Sequence, residues 1–179
     1  MADPESGGMA DPDEPVHVEA YDPAWEQLGH ALVRDLSRQL AWASADVEHI
    51  GSTSVPGLDA KPVIDVQVGC APALVPLVVE AVRGMGFEHL GTAGVPGREY
   101  LRRRSADPAN VHVMERGGRL WRDNMVFRDF LRARPDVARR YARTKREAAE
   151  RAPTLLAYSA LKARTVAEIM AAARSGPGP

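Results

Sequence analysis

The chain has 179 residues, of which 45% are hydrophobic and 26% charged, values typical of one globular domain. Its one cysteine, Cys70, excludes an intramolecular disulfide and a cysteine-based zinc cluster, and we expect a cytoplasmic protein. No segment reaches the ~20 apolar residues that span a bilayer, and the N-terminal segment lacks the apolar core of a secretory signal, so we expect no membrane partner.

Charge is unevenly distributed along the chain, although the formal net charge is only −1. Residues 1–15 contain five acidic and no basic side chains, and we predict that they form a disordered acidic tail. Residues 116–151 contain twelve basic side chains against five acidic ones, an excess that attracts phosphates or nucleic acid. Because aromatic residues do not alternate with the basic ones in 136–151, as base stacking requires, we do not expect nucleic acid as a partner.

The first half of the chain predicts a short strand at 16–19, a helix, and a strand–turn–strand unit. Asp22 and Pro23 are typical of a helix N-cap and first turn, and the helix is predicted to reach residue 43. Its apolar residues recur at steps of three and four, at Trp25, Leu28, Leu32, Leu36 and Leu40. Strands at 47–50 and 63–68 then flank turns at 51–54 and 56–57.

The second half predicts three strands between helices. The predicted elements are a helix at 72–83, strands at 87–90, 98–103 and 111–114, and helices at 121–134, 136–151 and 154–173. This order predicts an α+β fold, in which a mixed, largely antiparallel sheet has helices on one side and a C-terminal helical bundle. We predict a single domain at 16–174, followed by a flexible tail at 175–179.

A turn and the strand after it carry the clearest chemical pattern. Gly51 lacks a Cβ and is followed by hydroxyl residues, so the turn can direct several donors at one anionic oxygen, and we predict phosphate binding by Gly51, Ser52 and Ser54. Asp65 and Gln67 are two residues apart on a strand and share one face. A carboxylate that faces a phosphate-binding turn is typical of metal-dependent phosphoryl or nucleotidyl transfer. The alternative is an ordinary turn beside a half-solvated sheet.

Several basic side chains are placed to neutralise a bound phosphate. Arg128 is the strongest candidate, because core residues flank it on its predicted helix; for each of the others the alternative is ordinary surface charge. The predicted phosphate-binding cations are Lys61, Arg98, Arg128 and Lys162.

Five motifs together resemble the GrpB family. They are residues 21–25, 49–58, 61–66, 111–113 and 127–132, and the similarity covers about 16–173. The resemblance implies the fold of the nucleotidyltransferase superfamily, in which a Gly-Ser turn binds a triphosphate and three carboxylates bind two Mg²⁺ ions. It also implies a functional link to dephospho-CoA kinase, to which similar domains are fused in actinobacteria.

The resemblance assigns roles to residues of the turn and of two strands. Gly51 and Ser52 correspond to the turn, and Asp65 to the first carboxylate. Gln67 stands at the second carboxylate position, where an amide is a weaker Mg²⁺ ligand. The third position is His112, with Glu115 as a rival.

The replacement of carboxylates leaves the role of His112 open. Imidazole suits transition metals better than Mg²⁺, so His112 is a general base, a Mn²⁺ or Zn²⁺ ligand with His49 and Asp65, or a neutral hydrogen-bonding group.

Two functions follow for a nucleotide or CoA-like ligand. One is a nucleotidyltransferase-like enzyme with a divalent metal, Mg²⁺ or Mn²⁺, in which Asp65 and His112 are catalytic; its predicted metal ligands are Asp65, Gln67, His112 and His49. The other is a catalytically degenerate ligand-sensing or partner-binding module, which predicts metal-independent binding that tolerates Asp65→Asn.

Overall fold

The computed structural model describes residues 14–152 and 154–175, so residues 1–13 and 176–179 of the predicted tails lie outside the described residues. Its helices are α1 (Ala24–Gln39), α2 (Val75–Arg83), α3 (Arg119–Ala133), α4 (Pro135–Arg151) and α5 (Leu155–Ser175). Its strands are β1 (Asp46–Ile50), β2 (Ile64–Cys70), β3 (Glu88–His89), β4 (Arg98–Arg103) and β5 (Ala109–Glu115).

The strand predicted at 16–19 is absent from the described structure. Glu19 forms only an isolated bridge with Ala60, because Ala60 lies in the irregular segment before β2 and offers no extended strand to pair with.

The strands form a five-stranded mixed sheet in the order β1-β2-β5-β4-β3. Strands β2 and β5 are parallel, and the other neighbours are antiparallel. The register places Asp65 beside Asn110 and Gln67 beside His112. Tyr100 of β4 lies opposite His112, so these five side chains share one polar face of the sheet.

The opposite face of the sheet is apolar and packs against α1 and α2. The strands contribute Val66, Val68, Leu101, Val111 and Val113, and the predicted stripe of the first helix contributes Trp25, Leu32, Leu36 and Leu40, all buried. Each buried aliphatic side chain contributes about 1.5–3 kcal/mol. A slip of one residue would exchange the two faces, so this apolar layer fixes which side chains point to the polar face.

Helices α3, α4 and α5 form the predicted C-terminal bundle, with its own apolar cluster around Leu131, Tyr141 and Ile169. The amide of Gln67 joins the sheet to α3 through hydrogen bonds with Trp121 and Asn124. The α+β architecture is therefore the one predicted from the sequence, with α1 and α2 on one face and the bundle beside the other. No helix in residues 14–152 and 154–175 has the length and apolar character to cross a membrane.

Candidate functional site

A cavity of about 400 Å³ lies between the polar face of the sheet and helices α4 and α5. Ser52 of the turn, Asp65 of β2 and His112 of β5 line it together. The cations that line it are Lys61, Arg98, Lys145 and Lys162. The predicted convergence of turn, carboxylate and imidazole on one hollow is therefore present in the fold.

The turn after β1 lies directly against Asp65. Gly51 has a φ of +70°, a conformation that residues with a Cβ rarely adopt, and a Cβ added there would lie 2.8 Å from Oδ2 of Asp65. Ser52 lines the cavity, but the hydroxyl of Ser54 donates to the carbonyl of Gly51 at 2.6 Å. Ser54 is buried and closes the turn, so the prediction that it binds phosphate is corrected.

Asp65 is held in its charged form by its neighbours on β5. Its Oδ1 accepts a hydrogen bond from Nδ2 of Asn110 at 2.8 Å and lies 3.1 Å from Nε2 of His112. Burial by itself raises the pKa of Asp65, but the hydrogen bonds from His112 and Asn110 and the nearby charge of Lys162 hold that pKa below its usual value. Asp65 therefore stays ionised at neutral pH.

The imidazole of His112 lies between a carboxylate and a guanidinium. Its Nδ1 lies 3.5 Å from Nη1 of Arg98, whose other nitrogens donate to the carbonyls of Thr92 and Ala93. A guanidinium can only donate and an ionised carboxylate can only accept, so the contacts assign the proton to Nε2 and leave Nδ1 as the acceptor. The neutral tautomer of His112 satisfies both neighbours.

The chain contains three lysines among its 23 basic residues, and all three line this cavity. Lys145 is 1% exposed, donates from Nζ to the carbonyl of Asp59 and lies 5.0 Å from the ring centroid of Tyr141. Burial lowers the pKa of Lys145 to about 7. Nζ of Lys162 lies 4.3 Å from the ring centroid of Tyr158, and burial lowers the pKa of Lys162 to about 8.

The third lysine is paired with an acidic residue that the sequence prediction assigned to the disordered tail. Glu14 accepts hydrogen bonds from Lys61 and, at 2.7 and 2.8 Å, from the guanidinium of Arg104. Although burial raises the pKa of Glu14, these partners lower it to about 2. Glu14 lines the cavity, so the tail predicted at 1–15 does not extend to this residue.

Two predicted metal ligands do not face the cavity. Gln67 is fully buried, and its amide accepts from Asn124 at 2.9 Å. His49 pairs with Val66 and therefore lies on the apolar face, where its Nε2 contacts Oγ1 of Thr53 at 3.0 Å. Burial lowers the pKa of His49 to about 4. The predictions that Gln67 and His49 bind metal are thus corrected.

Arg128 has a structural position rather than the predicted phosphate-binding one. It is buried on α3, and its Nη1 donates to Glu48 at 2.8 Å and to the carbonyl of His49 at 3.1 Å. Its Nε donates to Asp129 at 2.8 Å. These contacts attach α3 to β1. The rival third ligand, Glu115, is exposed at the end of β5 and does not line the cavity.

Sequence reasoning missed two residues of the site, Lys145 and Asn110. Lys145 lies on the buried stripe of α4 in register with Ala138, Tyr141 and Ala148, and a charged residue at such a position is a detectable signal. Asn110 is two residues before His112, which places both on one face of the strand.

The donor set does not fit the two-metal site that the fold family implies. No group of three or more His, Cys, Asp and Glu side chains within the described ranges is arranged to hold a metal ion. Of the three positions predicted to hold metal-binding carboxylates, only Asp65 is a carboxylate. Its Oδ1 already accepts a hydrogen bond from Asn110. The cavity around it is lined by three lysines. Two close divalent cations need several negative ligands, whereas this cavity is rich in cations.

Comparison with known sequences identifies related proteins along nearly the whole chain. Residues 15–172 match the family described as GrpB protein. A UPF0157 protein of Pseudomonas aeruginosa is 36% identical over 172 residues, which covers 88% of this chain and 67% of that protein. A dephospho-CoA kinase of Mycolicibacterium paratuberculosis is 30% identical over 176 residues, which covers 83% of this chain and 43% of the kinase. The chain thus spans about two-fifths to two-thirds of the length of these relatives.

Solved structures with the same fold include one close in sequence and one distant. The GrpB protein of Enterococcus faecalis superposes with a TM-score of 0.78 at 31% identity, covering 88% of this chain and 96% of that one. Cid1 in complex with a UTP analogue superposes with a TM-score of 0.50 at 14% identity, covering 72% of this chain and 40% of Cid1. The second similarity concerns the fold alone.

Proposed function

We propose that this chain, which belongs to the GrpB family, binds the phosphate groups of a nucleotide or of a coenzyme A-type molecule in the lysine-lined cavity, without a resident pair of metal ions. The observation that carries the proposal is the placement of all three lysines at one cavity in a chain whose other basic residues are arginines. We also infer that it acts in the cytoplasm, in keeping with its single buried thiol.

The charges of the cavity favour a polyanion. Four cations line it against two carboxylates, and both carboxylates already have partners: Glu14 pairs with Lys61, and Asp65 accepts from Asn110. Lys145 and Lys162 have no ion pair with a carboxylate in the structure as described. Burial disfavours the charged form of both lysines, and the nearby Asp65 offsets this only in part, so a phosphate that enters stabilises their charged forms.

The match to a dephospho-CoA kinase supports a ligand of the coenzyme A or adenine-nucleotide class. The fold shared with Cid1 supports a nucleotide more generally, because Cid1 was solved with a UTP analogue. Either ligand carries a chain of phosphates joined to an organic part, and the lysines recognise the phosphates.

The test is titration calorimetry in the presence of EDTA with inorganic tripolyphosphate, ATP, CTP and coenzyme A. We expect binding that Lys162→Gln weakens about tenfold to a hundredfold, since a charged hydrogen bond contributes about 1.5–3 kcal/mol. Arg164→Gln is the matched control, because Arg164 lies on the same helix with its side chain 90% exposed and away from the cavity.

Three results contradict the proposal. They are the absence of binding, equal affinity of the parent and Lys162→Gln proteins, and binding that appears only after Mg²⁺ or Mn²⁺ is added.

Group transfer is a second candidate, favoured by the contact of Asp65 with His112 at 3.1 Å. Asp65 orients the imidazole so that Nδ1 can accept the proton of an attacking hydroxyl. The hydroxyl oxygen would then form a bond to phosphorus, and the leaving phosphate would depart with the electron pair of the broken bond. Arg98, next to Nδ1, would neutralise the charge that develops on the phosphoryl oxygens.

Phosphorus-31 NMR of ATP with dephospho-CoA as acceptor distinguishes the two candidates. An enzyme converts the ATP resonances, and His112→Asn abolishes the conversion while ATP still binds. Binding without any conversion over hours identifies the chain as a ligand-binding module that has lost catalysis.

A further inference from the structure

A second cavity, of about 450 Å³, adjoins the first at the same face of the sheet. The two cavities share Asp65, His112 and Lys162 in their walls. A group held by the ammonium of Lys162 in the first cavity is therefore at the boundary of the second.

The second cavity differs in chemistry from the first. Most of its remaining wall is apolar or aromatic, with Ile50, Phe127, Val166 and Met170 at its sides. Phe127 packs edge-to-face on Tyr141, with ring centroids 5.6 Å apart, so its ring has a fixed orientation. An apolar space with few polar groups is typical of a pocket for the organic part of a ligand.

Polar groups stand at defined points of this apolar wall. Asn124 is fixed by the hydrogen bond from its Nδ2 to Gln67, and Arg174 donates to Asp123 at 2.6 Å. Amide and carboxylate groups held in place beside an aromatic ring can pair with the polar edge of a planar heterocycle.

We propose that the second cavity binds the heterocyclic ring of the same ligand whose phosphates occupy the first, so that the molecule lies across the wall formed by Asp65, His112 and Lys162. The inference rests on the proposed function, since it needs phosphates in the first cavity. It assigns the substrate class as a phosphorylated nucleoside, free or within coenzyme A, instead of an inorganic polyphosphate or a phosphorylated aliphatic compound.

The energetic consequence is a difference in affinity between ligands with and without a ring. Stacking of one base on one aromatic side chain strengthens binding by about tenfold or more. ATP is therefore expected to bind the full chain about tenfold more tightly than tripolyphosphate, measured by calorimetry in EDTA. Val166→Trp fills the second cavity, and we expect it to abolish this advantage while tripolyphosphate binds within about twofold of the parent protein.

The control is Leu161→Gln on the same helix, because Leu161 is 48% exposed and lines neither cavity. It should leave both affinities unchanged. A second readout avoids reliance on a folded Val166→Trp protein: the methyl resonance of Met170 in the parent chain, assigned with Met170→Leu, should shift with ATP and stay in place with tripolyphosphate.

The outcomes separate this inference from the function on which it rests. Equal affinity for ATP and tripolyphosphate, with the Met170 resonance unmoved by both, overturns the ring site and leaves the phosphate site standing. Failure of both ligands to bind overturns both proposals.

Discussion

Replacement of Lys145 by methionine is expected to stabilise the fold while it weakens the site. A pKa lowered from 10.5 to about 7 by burial corresponds to about 5 kcal/mol of destabilisation when the amine is charged. Methionine has a similar length and no charge. It also removes the donor to the carbonyl of Asp59, which costs about 1–3 kcal/mol. The net prediction is an increase of about 2–4 kcal/mol in the unfolding free energy at pH 6.

The stabilisation depends on pH with a definite sign. Below pH 7 both the folded and the unfolded chains carry the proton on Lys145, and the penalty for the buried charge is fully present. Between pH 7 and 10.5 the unfolded chain binds more protons than the folded one, so the stability of the parent protein rises with pH. The advantage of Lys145→Met should therefore shrink by about 2–3 kcal/mol between pH 6 and pH 9.

Urea denaturation at pH 6, 7, 8 and 9 measures this difference directly. Arg143→Met is the control, because Arg143 is exposed on the same helix, and it should change the stability by less than about 0.5 kcal/mol at every pH. A Lys145→Met protein that is less stable than the parent at pH 6, or whose stability runs parallel to that of the parent across the range, would refute the assignment of a buried, charge-penalised amine.

Three further predictions concern other residues of the site and its surroundings. Glu14→Gln frees Lys61 from its carboxylate partner and should strengthen tripolyphosphate binding in calorimetry by about 0.5–1 kcal/mol; weaker binding would assign Glu14 a supporting role. Gly51→Ala should lower the unfolding free energy by about 1–3 kcal/mol and abolish ligand binding, because of its φ of +70° and the approach to Asp65; a stable, binding-competent variant would contradict this packing. Arg128→Met should lower the unfolding free energy by about 1–3 kcal/mol and leave the tripolyphosphate affinity unchanged, whereas a selective loss of affinity would restore its predicted phosphate role.

The sequence predicted the fold because its local patterns agree with its packing. One apolar layer contains the stripe from Trp25 to Leu40 and the valine-rich strands. Apolar residues recur every three or four positions in the stripe and every second position in the strands, as a helix and a strand require. The position of Asp65 beside Gly51 follows from the pairing of Ile50 with Asp65, and the thirteen residues between β1 and β2 do not dictate that register, so the sequence indicated the proximity only through the turn and strand pattern.

Side-chain direction and long-range contact were the parts that pattern could not supply. His49 precedes the turn in sequence, but antiparallel pairing with Val66 turns it to the apolar face. Gln67 lies on the polar face of the sheet, as predicted. Its amide is hydrogen-bonded to Asn124 of α3, more than 50 residues later in the chain, and so does not line the cavity. Arg128 has core neighbours on its helix, as a buried phosphate ligand would, and only the tertiary structure shows that its partners are Glu48 and the carbonyl of His49 instead of the cavity.

The most direct test of the central claim is a crystal structure of the full chain grown with ATP in EDTA. We predict phosphate oxygens within about 4 Å of Nζ of Lys145 and Lys162, the ion-pair distance, with no metal ion on Asp65. Phosphates bound elsewhere on the surface, or reached only through metal ions on Asp65, would contradict it.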